Sequence, residues 1–324
     1  MLQISVGGVL SAPTTISIAS NSSSTACVIP GYTTAQLQKL DQGGTLSSGG
    51  FTIMQSTTMD PTYGTVKSDS ISGSFTQLTG FQLASVALLN PFGVIQQGTC
   101  QVLQSSYSTK STGTTSPSPV VTLTSLDAGT ITVTGPASSS LANQPLTNID
   151  NGYLLATTEG SNFTLPGQVN FTLPGGTYAL SGAGGKDVGP FNASLTLPSP
   201  LTLSNPLPTT ITRSSPLILN WTGGNASDQV EILGESSITT GQGNNAITTV
   251  GEFICITTAG QKTFTVPSSV LTQLPATLPN VTGDLEIYSA SNSTTFSPTL
   301  KADGSAIPST FGNLIGISSS PAFK

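Results

Sequence analysis

The chain has 324 residues, a net charge of −6 and a sequence pI near 4.3. Only 7% of its residues are charged, and it has no histidine. So acidic a chain with so few basic residues has no stripe to neutralise phosphates, which argues against nucleic acid and against electrostatic binding to anionic lipid. Without histidine it also lacks the usual proton carrier for chemistry near neutral pH. These features predict a non-enzymatic protein with no cofactor and no metal. Its surface would be covered by Ser, Thr, Asn, Gln and Gly, as suits an extracellular or cell-surface setting.

The chain opens with two β-like runs, QISVGGVL and TTISIAS, split by Ser11-Ala12-Pro13. Ile4, Val6, Ile16 and Ile18 would give these runs one apolar face. This predicts a strand that completes a sheet, in its own domain or in a neighbouring subunit. A short helix is expected over Thr33 to Gly44, with a Thr cap, spaced leucines and a closing glycine pair. FTIMQST then reads as a strand. Phe81 to Ile95 is the longest apolar stretch, and it is too short and too interrupted by Asn90-Pro91 to span a membrane. The first ten residues carry no basic segment of the signal-peptide kind, so a secreted form would begin after a removed leader or inside a longer protein.

Ser105 to Pro119 is rich in Ser and Thr and reads as a linker. Beyond it, Thr130 to Gly135, Gln168 to Leu173, Ala193 to Pro198, Leu217 to Thr222, Gln229 to Leu233 and Asp284 to Tyr288 alternate apolar and polar residues. That is the pattern of antiparallel strands with one wet face. Glycine-rich turns separate them. A second helical turn, Pro267 to Pro275, carries serines suited to capping it. The expected class is all-β: two to three antiparallel Ig-like β-sandwich domains in tandem, with minimal helix. The boundaries are an N-terminal β region over 1–104, which reads as incomplete or rearranged, a linker over 105–118, a middle sandwich over 119–198 and a C-terminal sandwich over 199–324. The two helical turns share a frame of Cys, [IV]-Pro, Gln-Leu, a Gly turn and a strand. The first frame is built on Cys27 and the second on Cys255, which suggests an internal repeat.

From the middle region onward, LDAGTITVTGP, GTYALSGAGGKDVGPFNASLTLPSPLTLSN, ITRSSPLILNWTGGNASDQVEI and FICITTAGQKTFTVPSSVLTQLP follow in order. Together they resemble a group of secreted all-β, Ig-like proteins common in Acidobacteria and similar soil bacteria. Arg213, Trp221, Cys255 and Pro267 fall on the shared motifs, and the resemblance covers roughly residues 95–320. It implies secretion and fold, and it implies no reaction.

The candidate functional residues are few. Any two of Cys27, Cys100 and Cys255 are candidates for one disulfide, and all three also fit as small buried hydrophobes. Trp221 is expected in a core, with sugar stacking as the weaker alternative. Arg213, the one arginine, is expected to pair with a carboxylate. Asp228, Glu231 and Glu235 straddle one strand, where solvated faces outweigh an acid/base pair. NIDNG (148–152) fits an Asn-Gly turn better than a calcium loop. Asn21, Asn162, Asn170, Asn192, Asn220, Asn225, Asn280 and Asn292 are glycosylation sequons, only slightly more than chance supplies. So few carboxylates predict a stability that depends weakly on acid. The leading expectation is a structural protein that assembles with copies of itself through β-strand contacts at a cell surface or in a filament. The alternative is a monomeric adhesion module for carbohydrate or protein, although no aromatic cluster supplies a carbohydrate site.

Overall fold

A computed structural model describes residues 5–6, 9–10, 33–60, 64–79, 95–108, 122–159, 169–301 and 308–324. It is mostly strand, 58% against 7% helix, and so all-β. Among the described residues, strands β1 (Ser5–Val6) and β2 (Val9–Leu10) pair only with each other. Of the N-terminal residues expected to complete a sheet, Val6 therefore lies in a small local hairpin, while Ile4, Ile16 and Ile18 lie outside the described residues. So do Cys27 and the first half of the repeat frame.

Helix α1 (Thr34–Asp41) forms where expected. Thr33 and Gln36 make a capping box: the Gln36 N–H donates to Thr33 Oγ1 (3.3 Å) and the Thr33 N–H donates to Gln36 Oε1 (2.8 Å). Two 16-residue strands follow, β3 (Thr45–Asp60) and β4 (Gly64–Thr79), paired antiparallel along their whole length. Only the middle of β3 was legible as a strand. β4 was not, because GTVKSDSISGSFTQLT has almost no apolar alternation. Next come β5 (Cys100–Ser108), β6 (Thr122–Leu126), β7 (Ile131–Thr134), β8 (Gln144–Pro145), β9 (Thr147–Ile149), β10 (Gly152–Glu159), β11 (Gly176–Gly182) and β12 (Phe191–Leu197). The chain continues through β13 (Thr202–Leu203), β14 (Thr210–Ile211), β15 (Leu217–Thr222), β16 (Gln229–Thr240), β17 (Ile247–Thr258) and β18 (Thr263–Val266). It ends with helix α2 (Ser268–Leu271), β19 (Asp284–Phe296), β20 (Ser309–Ser319) and β21 (Ala322–Phe323).

One ten-stranded sheet organises the molecule. Its order is β5-β17-β16-β19-β20-β3-β4-β10-β9, and β6 also pairs with β4. The contact between β20 and β3 is parallel, while its other ladders are antiparallel. Strands from all three sequence regions therefore lie side by side, and the boundaries at 104 and 198 do not cut this sheet. The segment expected as a linker begins as strand, since Ser105 to Ser108 pair with β17. Residues 109–118 lie outside the described residues.

Two apolar cores pack against the sheet in a sandwich-like way. The first lies between β3, β4 and β10 and a four-stranded sheet of order β12-β11-β7-β8. At its centre Phe51, Phe75, Phe191 and Phe296 pack ring against ring, with centroids 5.2–6.4 Å apart. Glycines make room for these rings. A Cβ on Gly49 would lie 2.4 Å from Phe75, and one on Gly73 would lie 2.4 Å from Phe51. The second core joins β16, β17, β19 and β20 to β15, where Trp221 is 1% exposed and donates its indole N–H to Ala259 O (2.9 Å). The cores exchange residues across the sequence boundary. Phe296 and Phe311 enter the first, whereas Met59, Cys100 and Val102 pack on the second.

Three local expectations are corrected. Residues 169–173 keep their alternating burial but form no ladder; side chains hold that backbone instead, as described below. Helix α2 has no side-chain cap, because Pro267 occupies its N-cap in extended conformation. Among the described residues Arg213 meets no carboxylate. Its guanidinium donates to Leu274 O (2.6 Å) and Thr272 O (3.4 Å) just beyond α2, where carbonyls are left unpaired and attract a cation.

Candidate functional site

The motif residues are accounted for by packing. Asp127 Oδ1 accepts the Gly129 N–H (2.7 Å) and Oδ2 accepts the Lys186 N–H (3.3 Å), while Asp187 Oδ2 accepts the Asp127 N–H (3.0 Å). These backbone donors, Gly129's foremost, hold the Asp127 carboxyl below the ordinary range. Gly129 has φ +70°, and a Cβ there would lie 2.4 Å from Gly184 O. The D-A-G and G-A-G-G-K-D-V-G segments are thus two halves of one loop-on-loop lock. NIDNG forms the β9–β10 hairpin turn, with Asp150 and Asn151 both left-handed.

Among the sequons, Asn170, Asn192 and Asn280 are exposed and Asn220 is half-buried in β15. Two side-chain amides are engaged: Asn225 donates to Asp228 Oδ1 (3.2 Å) and the exposed Asn292 to Thr196 O (2.9 Å). Asn21 and Asn162 lie outside the described residues. Among the described residues no helix is long and apolar enough to cross a membrane.

Of the acidic trio, Asp228 is buried in its own turn and accepts the Asn225 N–H (2.7 Å). Glu231 and Glu235 share a sheet face, and register adds three carboxylates that sequence reading did not bring together. Glu235 sits directly opposite Glu252 on β17 and Asp284 on β19, while Glu286 faces Leu233. Partial burial, with Glu252 and Asp284 close by, pushes the Glu235 carboxyl up. Among the described residues no group of three or more such side chains is placed to hold a metal.

The outer edge of the large sheet is the most distinctive surface. β5 reads CQVLQSSYS, with no charge and no proline, and among the described residues no strand pairs with its outer side. Leu103, Ser105 and Tyr107 alternate onto one face, where Leu103 is 36% and Tyr107 56% exposed. Proteins normally protect such an edge with charge, proline or a bulge. A disulfide between Cys100 and Cys255, directly opposite residues, fastens β5 to β17. This selects one of the pairings that the sequence left open.

A cleft of about 530 Å³ lies on the core-facing side of the same sheet, between the two cores. Two cross-strand rows form its floor: Ile315, Gln55, Asp69 and Thr157, then Ile317, Thr57, Lys67 and Glu159. Leu173, Pro174 and the segment from Pro200 to Pro206 form its roof. Gln55 Nε2 donates to Leu173 O (3.0 Å) and Asp69 accepts the Leu173 N–H, so two side chains replace a strand partner. Lys67 lies opposite Glu159, whereas Asp69 lies opposite Gln55 and Thr157. Burial, with Glu159 adding to it, pushes Asp69 from 3.8 up to about 6 against the pull of Leu173 and Lys67.

The sign of this shift sets a pH dependence. A carboxyl with a raised folded pKa binds its proton more tightly when folded. Its cost is therefore fully present above about pH 6 and disappears as pH falls toward the unfolded value. Discounted for solvent screening, about 0.5–1 kcal/mol of stability should be gained between about pH 7.5 and pH 5. Asp69→Asn should flatten the profile. Urea denaturation at the two pH values checks this, and a loss of stability on acidification would contradict it.

No protein-family model and no curated protein sequence matches the chain. A solved structure titled "Fcho1 Mu homology domain (Danio Rerio) with bound Eps15 peptide" aligns at 7% identity over 85% of this chain and 97% of that one. Its TM-score is 0.18, a likeness that bears on neither fold nor function.

Proposed function

We propose that this protein is a non-enzymatic structural subunit of the extracellular surface, with Ig-like sandwich character, and that copies join through β-strand contacts at β5. The observation that carries the reading is the edge itself: a long, uncharged, proline-free strand with exposed Leu103 and Tyr107, locked in place by a disulfide. A disulfide suits an oxidising compartment, and a surface with so little charge offers little electrostatic resistance to self-association.

Two β5 edges meet in antiparallel register about a two-fold axis. Centred on Ser105, the pairing sets Leu103 of one copy against Tyr107 of the other, an aliphatic–aromatic cross-strand pair on each side. The opposite end of the sheet, β9, has three residues and is too short to template a long ladder. The two-fold pair is thus the building step, and any filament needs a further contact.

Sedimentation velocity tests the reading. Wild-type protein should show a concentration-dependent dimer, and Leu103→Lys with Tyr107→Lys should be monomeric with an unchanged melting temperature. A wild-type monomer at all concentrations would favour the alternative, a solitary adhesion or binding module.

A further inference from the structure

We propose that the cleft between the two cores binds a small organic cation, an alkylammonium or guanidinium group held against Asp69 with its apolar body along Leu201, Leu203, Ile315 and Ile317. The volume lies within the range of small-molecule sites, and a junction between packed units is a common place for them. The walls are preformed, with Pro174, Pro200 and Pro206 in the roof. Among the described residues the lining contains no aromatic one, which disfavours sugars and nucleobases.

The charge pattern selects the ligand. Glu159 and Lys67 face each other across the β4–β10 ladder and are both exposed. Asp69 has the Leu173 N–H, and its cross-strand neighbours Gln55 and Thr157 bring no positive charge. A carboxylate accepts more than one hydrogen bond, and a cation in the cleft would add to the attraction of Lys67, two positions along β4. A divalent metal is the poorer occupant, because among the described residues no cluster gathers enough ligands for it. The groups facing Asp69 are Lys67 and Glu159 on the floor and Tyr178 beyond it.

n-Pentylammonium is the probe and 1-pentanol its uncharged control, followed by amide chemical shifts in the ¹⁵N-labelled full chain. Saturable shifts at Leu173 and Leu203 are expected at millimolar probe, with no response to pentanol. Because Asp69 titrates near 6, binding at about pH 5 should be roughly tenfold weaker than at about pH 7.5. Asp69→Asn keeps an oxygen for the Leu173 N–H and should stay folded while losing the shifts. Absence of saturable shifts in the wild type would overturn the proposal. So would equal binding by the folded Asn variant or equal binding of pentanol.

Discussion

Replacing Cys100 and Cys255 together by alanine is expected to destabilise the protein by about 2–5 kcal/mol. The bridge spans 155 residues, and closing so long a loop removes much freedom from the unfolded chain. It also holds β5 at the edge of the sheet, where among the described residues only β17 flanks it. Its loss should therefore free the strand that the proposed assembly uses, and self-association should weaken together with stability. Denaturation of the double variant, and of the wild type with and without reductant, measures the effect. An unchanged midpoint would mean that the bridge adds nothing to the fold.

Phe75→Ala should cost about 3–5 kcal/mol, the range for truncating a buried aromatic residue. Phe75 is 0% exposed and its ring lies 5.5 Å from Phe51, 5.2 Å from Phe191 and 6.2 Å from Phe296. Those partners come from three distant parts of the chain, so the cavity weakens contacts that tie all three together. Calorimetry should show one transition at a lower temperature. A variant that loses only one of two separate transitions would mean that the cores melt independently, despite the sheet they share.

The all-β class was legible because strands such as Leu217–Thr222 and Phe191–Leu197 alternate plainly and glycine turns punctuate them. Helix α1 was legible because of its Thr33 cap, its spaced leucines and its closing glycine pair, while the Gln36 half of its capping box was not. β4 was hidden, since its serines and glycines belong to a strand whose stability comes from β3 and β10 rather than from its own apolar residues. The placement of β20 beside β3 was equally hidden: parallel pairing between residues 260 positions apart leaves no mark in local periodicity. Site geometry suffered for the same reason. Glu231 and Glu235 share a strand and could be matched from sequence. Glu252, Asp284 and Glu286 join them only through register, as Asp69, Lys67 and Glu159 meet only through the β4–β10 ladder. Among the cysteines, the choice of Cys100 with Cys255 depends on β5 lying next to β17, which the apparent linker at Ser105 concealed.

Cross-linking at the proposed two-fold axis tests the central claim most directly. In antiparallel pairing centred on Ser105, that residue faces its own copy at a Cα separation of about 4.5–5.5 Å, within reach of a disulfide. With Cys27 replaced by serine to remove the remaining thiol, Ser105→Cys should form a covalent dimer under mild oxidation. Ser106→Cys, on the other face of the strand, should do so far less readily. If Ser105→Cys stays monomeric under conditions that keep the Cys100–Cys255 bridge oxidised, the β5 edge does not join copies of this chain and the proposed assembly is wrong.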